Sequence, residues 1–229
     1  MELIVLMTTY HRPNDSLSSI MSVLTHTPEL HTLHILDNSC GGIDNTLELI
    51  NDSRVSIHRS PTNIGKSRIV SERYNDAIKN CPLDHFIGMD GDIVVRDGWY
   101  TTLLSCAREV APWAALAPTI VEPGDATPRL HVSGKNTKKV KPGIWYNQNT
   151  AGGLLLIRRK FWENWGGYPG TQLYGNDDGA LCKEAIRRNQ FIGYTTKVVV
   201  EHYNSDSNGG YTDWKLKNVT GLDNPGYWG

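Results

Sequence analysis

Two carboxylates separated by one glycine, Asp90-Gly91-Asp92, follow directly on the apolar run Phe86-Ile87-Gly88-Met89. Such a run reads as a buried strand, and ligands of open α/β sheets sit just beyond the carboxyl ends of strands. Two Asp side chains there, with no basic partner beside them in sequence, repel each other unless a cation lies between them. A divalent cation that holds a diphosphate is the chemistry this spacing suits. Gly91 would let the backbone bend sharply and a ligand approach closely. An Asp-Gly turn that merely ends a strand uses the same residues, so the rest of the chain has to decide.

Further acids and an imidazole lie downstream. Asp177 and Asp178 follow Tyr174-Gly175-Asn176 and open a helix through Leu181, Ala185 and Ile186. Asn176 suits an N-cap and the two acids suit the positive helix end, but a cap needs only one such residue. His202 follows the apolar run Thr195–Val200 and would complete an oxygen and nitrogen ligand set for Mn²⁺ or Mg²⁺ with Asp90 and Asp92. A lone histidine at a strand end is more often a surface or packed residue. The stretch from Ser60 to Ser67 nearly matches a phosphate-binding loop, yet Ser60 replaces the first glycine and Pro61 lacks an N–H for the cradle. Lys66 and Arg68 at the following helix N-terminus could still attract a diphosphate.

Strands and helices alternate around these residues. Leu3–Met7 reads as a parallel strand ending at Thr8-Thr9-Tyr10-His11-Arg12, and Pro13 and Asn14 begin a helix with Leu17, Ile20, Met21 and Leu24. Leu33–Leu36 leads to Asp37-Asn38-Ser39, and Arg54–Ile57 leads to Asn63-Ile64-Gly65 and a helix with Val70, Tyr74, Ala77 and Ile78 inward. This alternation predicts a Rossmann-like, mostly parallel sheet flanked by helices, in one α/β domain. Right-handed crossovers would bring Thr8–Arg12, Asp37–Ser39, Asn63–Arg68 and Asp90–Asp92 to one edge. A helix from Asp97 to about Val110, a strand Ala114–Ile120 and an irregular segment from Val121 to Asn149 come next. That segment carries Lys135, Lys138, Lys139 and Lys141 before Trp145-Tyr146. Thr150–Ile157 reads as a glycine-led strand. Residues 1–100 are expected to form a nucleotide-binding half and 101–204 an acceptor and catalytic half. The tail 205–229, with Tyr211, Trp214, Tyr227 and Trp228, is expected to dock on the domain.

The totals exclude several classes. At 229 residues and 39% hydrophobic content the chain can bury a substantial core. A net charge of -1 gives no global pull toward nucleic acid or anionic lipid. The four cysteines are scattered without a CxxC pair, as free thiols would be, and no run is long enough to span a bilayer. A soluble, cytoplasmic protein is expected, since the short apolar start lacks a basic leader.

Taken in order, these segments resemble the GT-A glycosyltransferases of the broad family 2 class. The ordered set is Thr8–Arg12, Asp37-Asn38-Ser39, Asn63-Ile64-Gly65, the DxD motif Asp90-Gly91-Asp92, Ala151-Gly152-Gly153, Trp165-Gly166-Gly167-Tyr168, Gly175-Asn176-Asp177-Asp178 and His202. Its second half is similar to the galactosyl- and N-acetylgalactosaminyltransferase pattern. The resemblance implies a GT-A fold, a Mn²⁺ or Mg²⁺ cofactor and a nucleotide-sugar donor, a UDP-sugar first. Thr8, Tyr10, Arg12, Asp37, Asn63, Lys66, Arg68 (or Arg73) and Asp178 would surround that donor. Gly152 and Gly153 would leave space for the sugar, Asp90, Asp92 and His202 would serve the metal, and Asp177 would be the base of an inverting reaction. Asn176 departs from the Glu found in many inverting relatives. The acceptor could be a glycan, a lipid-linked glycan or, through the lysine cluster, a hydroxylated base in DNA. A nucleotidyltransferase and a non-catalytic nucleotide-sugar binding module remain alternatives.

Overall fold

The computed structural model describes residues 3–79, 83–121, 137–148, 150, 153–168 and 177–203. Strands β1 (Leu3–Thr9), β2 (Leu30–Asp37), β3 (Val55–Arg59) and β4 (His85–Asp90) alternate with helices α1 (Pro13–His26), α2 (Asp44–Leu47) and α3 (Lys66–Lys79). Then come β5 (Ile93–Val94), α4 (Trp99–Arg108), β6 (Trp113–Val121), β7 (Thr137–Lys141), β8 (Ile144–Asn147) and β9 (Leu154–Arg158). Helices α5 (Arg159–Trp165) and α6 (Asp177–Arg187) precede β10 (Phe191–His202).

One sheet runs in the order β3-β2-β1-β4-β9-β6-β10-β8-β7, with β5 pairing the end of β10. The pairs β1 with β2, β1 with β4, β2 with β3 and β6 with β10 are parallel. Strand β9 lies antiparallel between β4 and β6, a direction that an apolar run cannot reveal. Leu3 to Met7 are at most 4% exposed because helices cover both faces of β1, which is why that strand is apolar without alternation. One core joins α1, α2 and α4 to the sheet, and the other joins α3, α5 and α6. The mostly parallel sheet flanked by helices is therefore present.

Four expectations change. The segment from Val121 to Asn149 is not irregular throughout, since β7 and β8 form an antiparallel hairpin. Its turn is Pro142-Gly143, where proline presets φ and Gly143 takes φ 72°. Lys138, Lys139 and Lys141 thus lie on the sheet's outer strand rather than on a loop, and Lys139 sits 5.9 Å from the Trp145 ring centre. Of the run placed at Thr150–Ile157, Leu154–Ile157 are strand while Thr150 and Gly153 are not, and the last strand starts at Phe191, ahead of a register shift between Thr195 and Val199. On α1 the buried face is Ser16, Ser19, Ile20 and Val23, while Met21 is 49% exposed. Small serines fit that face because α1 lies close to β5: Ser19 Oγ donates to the Ile93 carbonyl at 2.5 Å.

Aromatic packing holds the turn that follows α5. Trp162 is fully buried among Tyr74, Phe86, Trp165 and Tyr168, with its indole N–H donating to Asn75 Oδ1 at 3.0 Å. The Tyr168 carbonyl accepts from Ser71 Oγ at 3.1 Å. Gly167, at φ 90°, brings its backbone so near Trp162 that a β-carbon would stand 2.9 Å from the ring. These contacts fasten the 166–168 turn to α3. The tail 205–229, Lys135, Cys81 and the Gly175-Asn176 cap lie outside the described residues. Cys40, Cys106 and Cys182 are free thiols, and among the described residues no helix is long and apolar enough to cross a membrane.

Candidate active site

The Asp90-Gly91-Asp92 turn is pinned by main-chain bonds at the carboxyl ends of β1 and β4. The Asp90 N–H donates to the Gly153 carbonyl and the Gly91 N–H to the Thr8 carbonyl, each at 2.8 Å. Gly91 is required by this approach and not by room for a ligand: a β-carbon would meet Thr9 Cγ2 at 2.9 Å and the Thr8 carbonyl at 3.0 Å. Thr8 Oγ1 also donates to Asp90 Oδ1 at 3.3 Å.

Short antiparallel pairing explains how His202 reaches this turn. Strand β5 follows Asp92 directly and pairs His202 with Ile93, while the Tyr203 N–H donates to the Asp92 carbonyl at 2.8 Å. His202 Nε2 consequently stands 3.3 Å from Asp92 Oδ2. Arg12 contributes from the other side. His11 and Arg12 take φ 49° and 62°, an uncommon backbone for residues with side chains, and Pro13 starts α1 behind them. That turn sends the guanidinium to Asp92 Oδ2 at 2.6 Å and to Asp15 Oδ2 at 2.6 Å, and it also donates to the Tyr203 carbonyl.

A second charge cluster adjoins the first. Lys66, the first residue of α3, places Nζ 2.8 Å from Asp90 Oδ1 and 3.1 Å from Asp177 Oδ2. Asp177 opens α6 and its side chain is only 8% exposed. Burial raises the Asp177 carboxyl, but the Lys66 charge and the backbone N–H groups of the helix start outweigh it and hold it below the ordinary range. Burial likewise raises Asp92, and the His202 hydrogen bond with the His202, Arg12 and Lys66 charges brings it down overall. Asp90 differs: burial together with the Asp92 and Asp177 charges exceeds what Lys66 returns, and its carboxyl is raised. Burial works against the Lys66 ammonium, but Asp177, Asp90 and Asp178 keep it firmly protonated.

A third group surrounds the end of β2. Asp37 is fully buried, with Oδ1 accepting from Thr9 Oγ1 at 3.3 Å and from the Ser39 N–H at 3.0 Å. Asp37 Oδ2 and Ser39 Oγ have no hydrogen-bond partner among the described residues. An idle buried carboxylate oxygen is costly unless a donor arrives. Beside it Asn38 Nδ2 donates to Asn63 Oδ1 at 2.6 Å, Asn38 Oδ1 accepts the Ile64 N–H at 3.0 Å, and the Tyr10 hydroxyl bonds Asn63.

The donor chemistry of Asp92 and His202 suits a hard divalent cation: Asp92 Oδ2 is taken by Arg12 at 2.6 Å, while Asp92 Oδ1 is buried without a hydrogen-bond partner among the described residues. Asp90 is turned to Lys66 instead, and among the described residues no three His, Cys, Asp or Glu side chains form a closed metal cage. Phosphate oxygens of a substrate would suit the remaining positions of a cation held there, as Mg²⁺ commonly takes ligands from phosphates.

No family model and no curated protein matches the chain. Solved structures do. GalNAc-T7 crystallised with UDP, GalNAc and Mn²⁺ superposes at a TM-score of 0.66 with 16% identity, covering 89% of this chain and 43% of that one. TarS residues 1–349 of S. aureus superposes at 0.66 with 15% identity, covering 98% of this chain and 66% of that one. The fold is that of the GT-A glycosyltransferases. At these identities the likeness is one of fold, and the chain spans less than two thirds of either structure's length.

Placed on this GT-A frame, Thr8, Arg12, Lys66, Asp90, Asp92, Asp177 and His202 meet in one linked cluster, and Tyr10, Asp37 and Asn63 form the neighbouring one. Asp178 is half-buried and contributes its charge to Lys66. Arg68 is not brought in: its exposed side chain pairs with Glu72 one helical turn on, at 2.8 Å. Arg73 instead lines a separate cavity with His31, His34 and His58. Gly153 leaves no open space on its β-carbon side, where Ile93 Cδ1 would lie at 3.1 Å, so close packing explains that glycine. Gly152 lies outside the described residues. Sequence reasoning missed Asp15, the Tyr203 carbonyl and the phenol of Tyr168, which feels the Asp177 and Asp178 charges. Asp15, three residues after Arg12 in a first helical turn, was the one with a local signal.

Proposed function

We propose that the chain is a metal-assisted glycosyltransferase that moves a sugar from a nucleoside diphosphate sugar, a UDP-sugar first, to an acceptor hydroxyl with inversion. The observation that carries this is the shared cluster: Asp92 with His202 at 3.3 Å on one side, and Asp177 joined to Asp90 through Lys66 on the other. Asp37, whose Oδ2 has no hydrogen-bond partner among the described residues, receives a donor N–H of the base, and Tyr10 and Asn63 flank the nucleoside. Asp92 and His202 would hold a divalent cation, which would supply charge neutralisation for the departing diphosphate. Asp177 stays ionised in its buried position at a helix start, and accepts the proton of the acceptor hydroxyl as that oxygen attacks the anomeric carbon. The fold supports the reading, and the GT-A neighbour GalNAc-T7 was crystallised with UDP, GalNAc and Mn²⁺.

The acceptor is proposed only as an alcohol. The β7 lysines offer a positive edge that would suit a phosphate-bearing one, whether lipid-linked or nucleic acid. The test is turnover with a panel of nucleotide-sugars in Mn²⁺, read as release of nucleoside diphosphate and as a mass gain of one sugar on the acceptor. Release that chelator abolishes is expected with at least one donor. Pyrophosphate release, or nucleotide binding without any turnover, would overturn the reading.

A further inference from the structure

Lys66 stands between two carboxylates of different function. Its ammonium bridges Asp90 Oδ1 at 2.8 Å and Asp177 Oδ2 at 3.1 Å, so one cation serves a carboxylate of the diphosphate side and the carboxylate of the acceptor side. An Asp177 oxygen engaged by an ammonium is a poor proton acceptor. A dication against Asp92 would add positive charge to a largely buried site that already holds Arg12 at 2.6 Å from Asp92 and Lys66 at 2.8 Å from Asp90, and that added repulsion would weaken the Lys66 contact with Asp90. An arriving diphosphate offers the ammonium a new set of anionic oxygens at the N-terminal end of α3, where backbone N–H groups also favour phosphate.

Resting on the functional reading above, we propose that Lys66 is a positioning residue that exchanges partners. It neutralises Asp90 and Asp177 where the structure places it and would pass to the diphosphate when donor binds, freeing Asp177 Oδ2 to receive the acceptor's proton. Donor loading and readiness of the base are thereby joined through one side chain. The enclosure fits this role. Lys66 is 26% exposed, leaving the stem room to move, and Asp177 at 8% has the backbone N–H groups of α6 to hold it once the ammonium departs. Asp178 adds a further negative charge that keeps the ammonium near whichever partner is present. Sequence position alone suggests only the second half of this behaviour, a lysine at a helix start that meets phosphate.

The exchange makes two affinities move in opposite directions. In Lys66→Met no ammonium competes at Asp90, so nucleotide-free protein should bind Mn²⁺ roughly tenfold more tightly, read by the electron paramagnetic resonance signal of free Mn²⁺. UDP binding at saturating Mn²⁺ should weaken roughly tenfold in calorimetry, because the phosphate loses its ammonium. Lys66→Arg, which keeps the charge, should move both values back toward wild type. A lysine that only bound phosphate would leave nucleotide-free Mn²⁺ affinity unchanged, and one that only braced the fold would weaken both. Either result overturns the exchange. Wild-type protein that binds neither UDP nor Mn²⁺ would sink the functional reading itself, whatever the variants did.

Discussion

Asp90 and Asp92 stand one residue apart, yet the structure gives them opposite energetic signs. Asp92 is held by Arg12 at 2.6 Å and by His202 at 3.3 Å, and its carboxyl lies below the ordinary range; Asp90 lies above it, raised by burial and by Asp92 itself. A carboxyl lowered in the folded state contributes stability above its unfolded value, near pH 4, which is lost as pH falls through the folded value. A raised one costs stability when ionised at neutral pH. In metal-free buffer at pH 7, Asp92→Asn therefore removes a favourable charge, whereas Asp90→Asn removes an unfavourable one. Breaking one side of a fully buried pair costs about 3–5 kcal/mol. Here Arg12 and Asp92 are 13% and 18% exposed, and Arg12 retains Asp15 at 2.6 Å and the Tyr203 carbonyl, so the cost should fall to about 2 kcal/mol. For a domain of this size that is a midpoint lower by roughly 4–8 °C. Asp90→Asn leaves Lys66 with Asp177 and Asp178 and should change stability by less than about 1 kcal/mol. Urea unfolding of both variants with chelator present is the assay. Equal destabilisation of the two, or a larger loss in Asp90→Asn, would refute the electrostatic argument.

Two further outcomes follow from parts of the molecule outside the site. His34, packed against His58 with Nδ1 to Nε2 at 3.0 Å, is depressed to about 4 by burial and by the charges of its histidine neighbours. Its neutral form is what the fold stabilises, so stability should hold above pH 6.5 and decline as pH drops toward 4; an NMR titration midpoint for His34 near 6.5 would contradict this. Gly88→Ala would put a β-carbon 2.3 Å from the Tyr74 hydroxyl, itself buried against Phe86 and Trp162, and should destabilise by about 1–3 kcal/mol in urea unfolding. An unchanged midpoint would show that Tyr74 moves freely.

Much of the scaffold was legible because its signals are local. Leu3–Met7 is buried on both sides, Pro13 starts α1, and the Asp90-Gly91-Asp92 turn ends a strand at the edge where Thr8, Asp37 and Asn63 also emerge. What escaped depends on partners distant in sequence. The direction of β9 is set by β4 and β6, not by its own residues. The β7–β8 hairpin was hidden because Lys138, Lys139 and Lys141 read as a solvated loop, although Pro142-Gly143 is a turn signal. Tyr74 was legible as an inward residue of α3, but not the tight approach of Gly88 beneath its hydroxyl. Arg68 was assigned by spacing after Gly65, and helical geometry turns it to Glu72 instead. Lys66 was readable as a cation at a helix start; that it would bridge two carboxylates from β4 and α6 is a property of the assembled sheet.

The most direct measurement is made on Asp177→Asn with the nucleotide-sugar that the wild type turns over. Donor binding is followed by calorimetry, and sugar transfer by mass spectrometry. Donor affinity should stay close to wild type and transfer should slow by about 10²–10⁴-fold, the contribution expected of a positioned general base. A variant that transfers sugar at the wild-type rate, or that loses donor binding together with transfer, would contradict the placement of the base at Asp177.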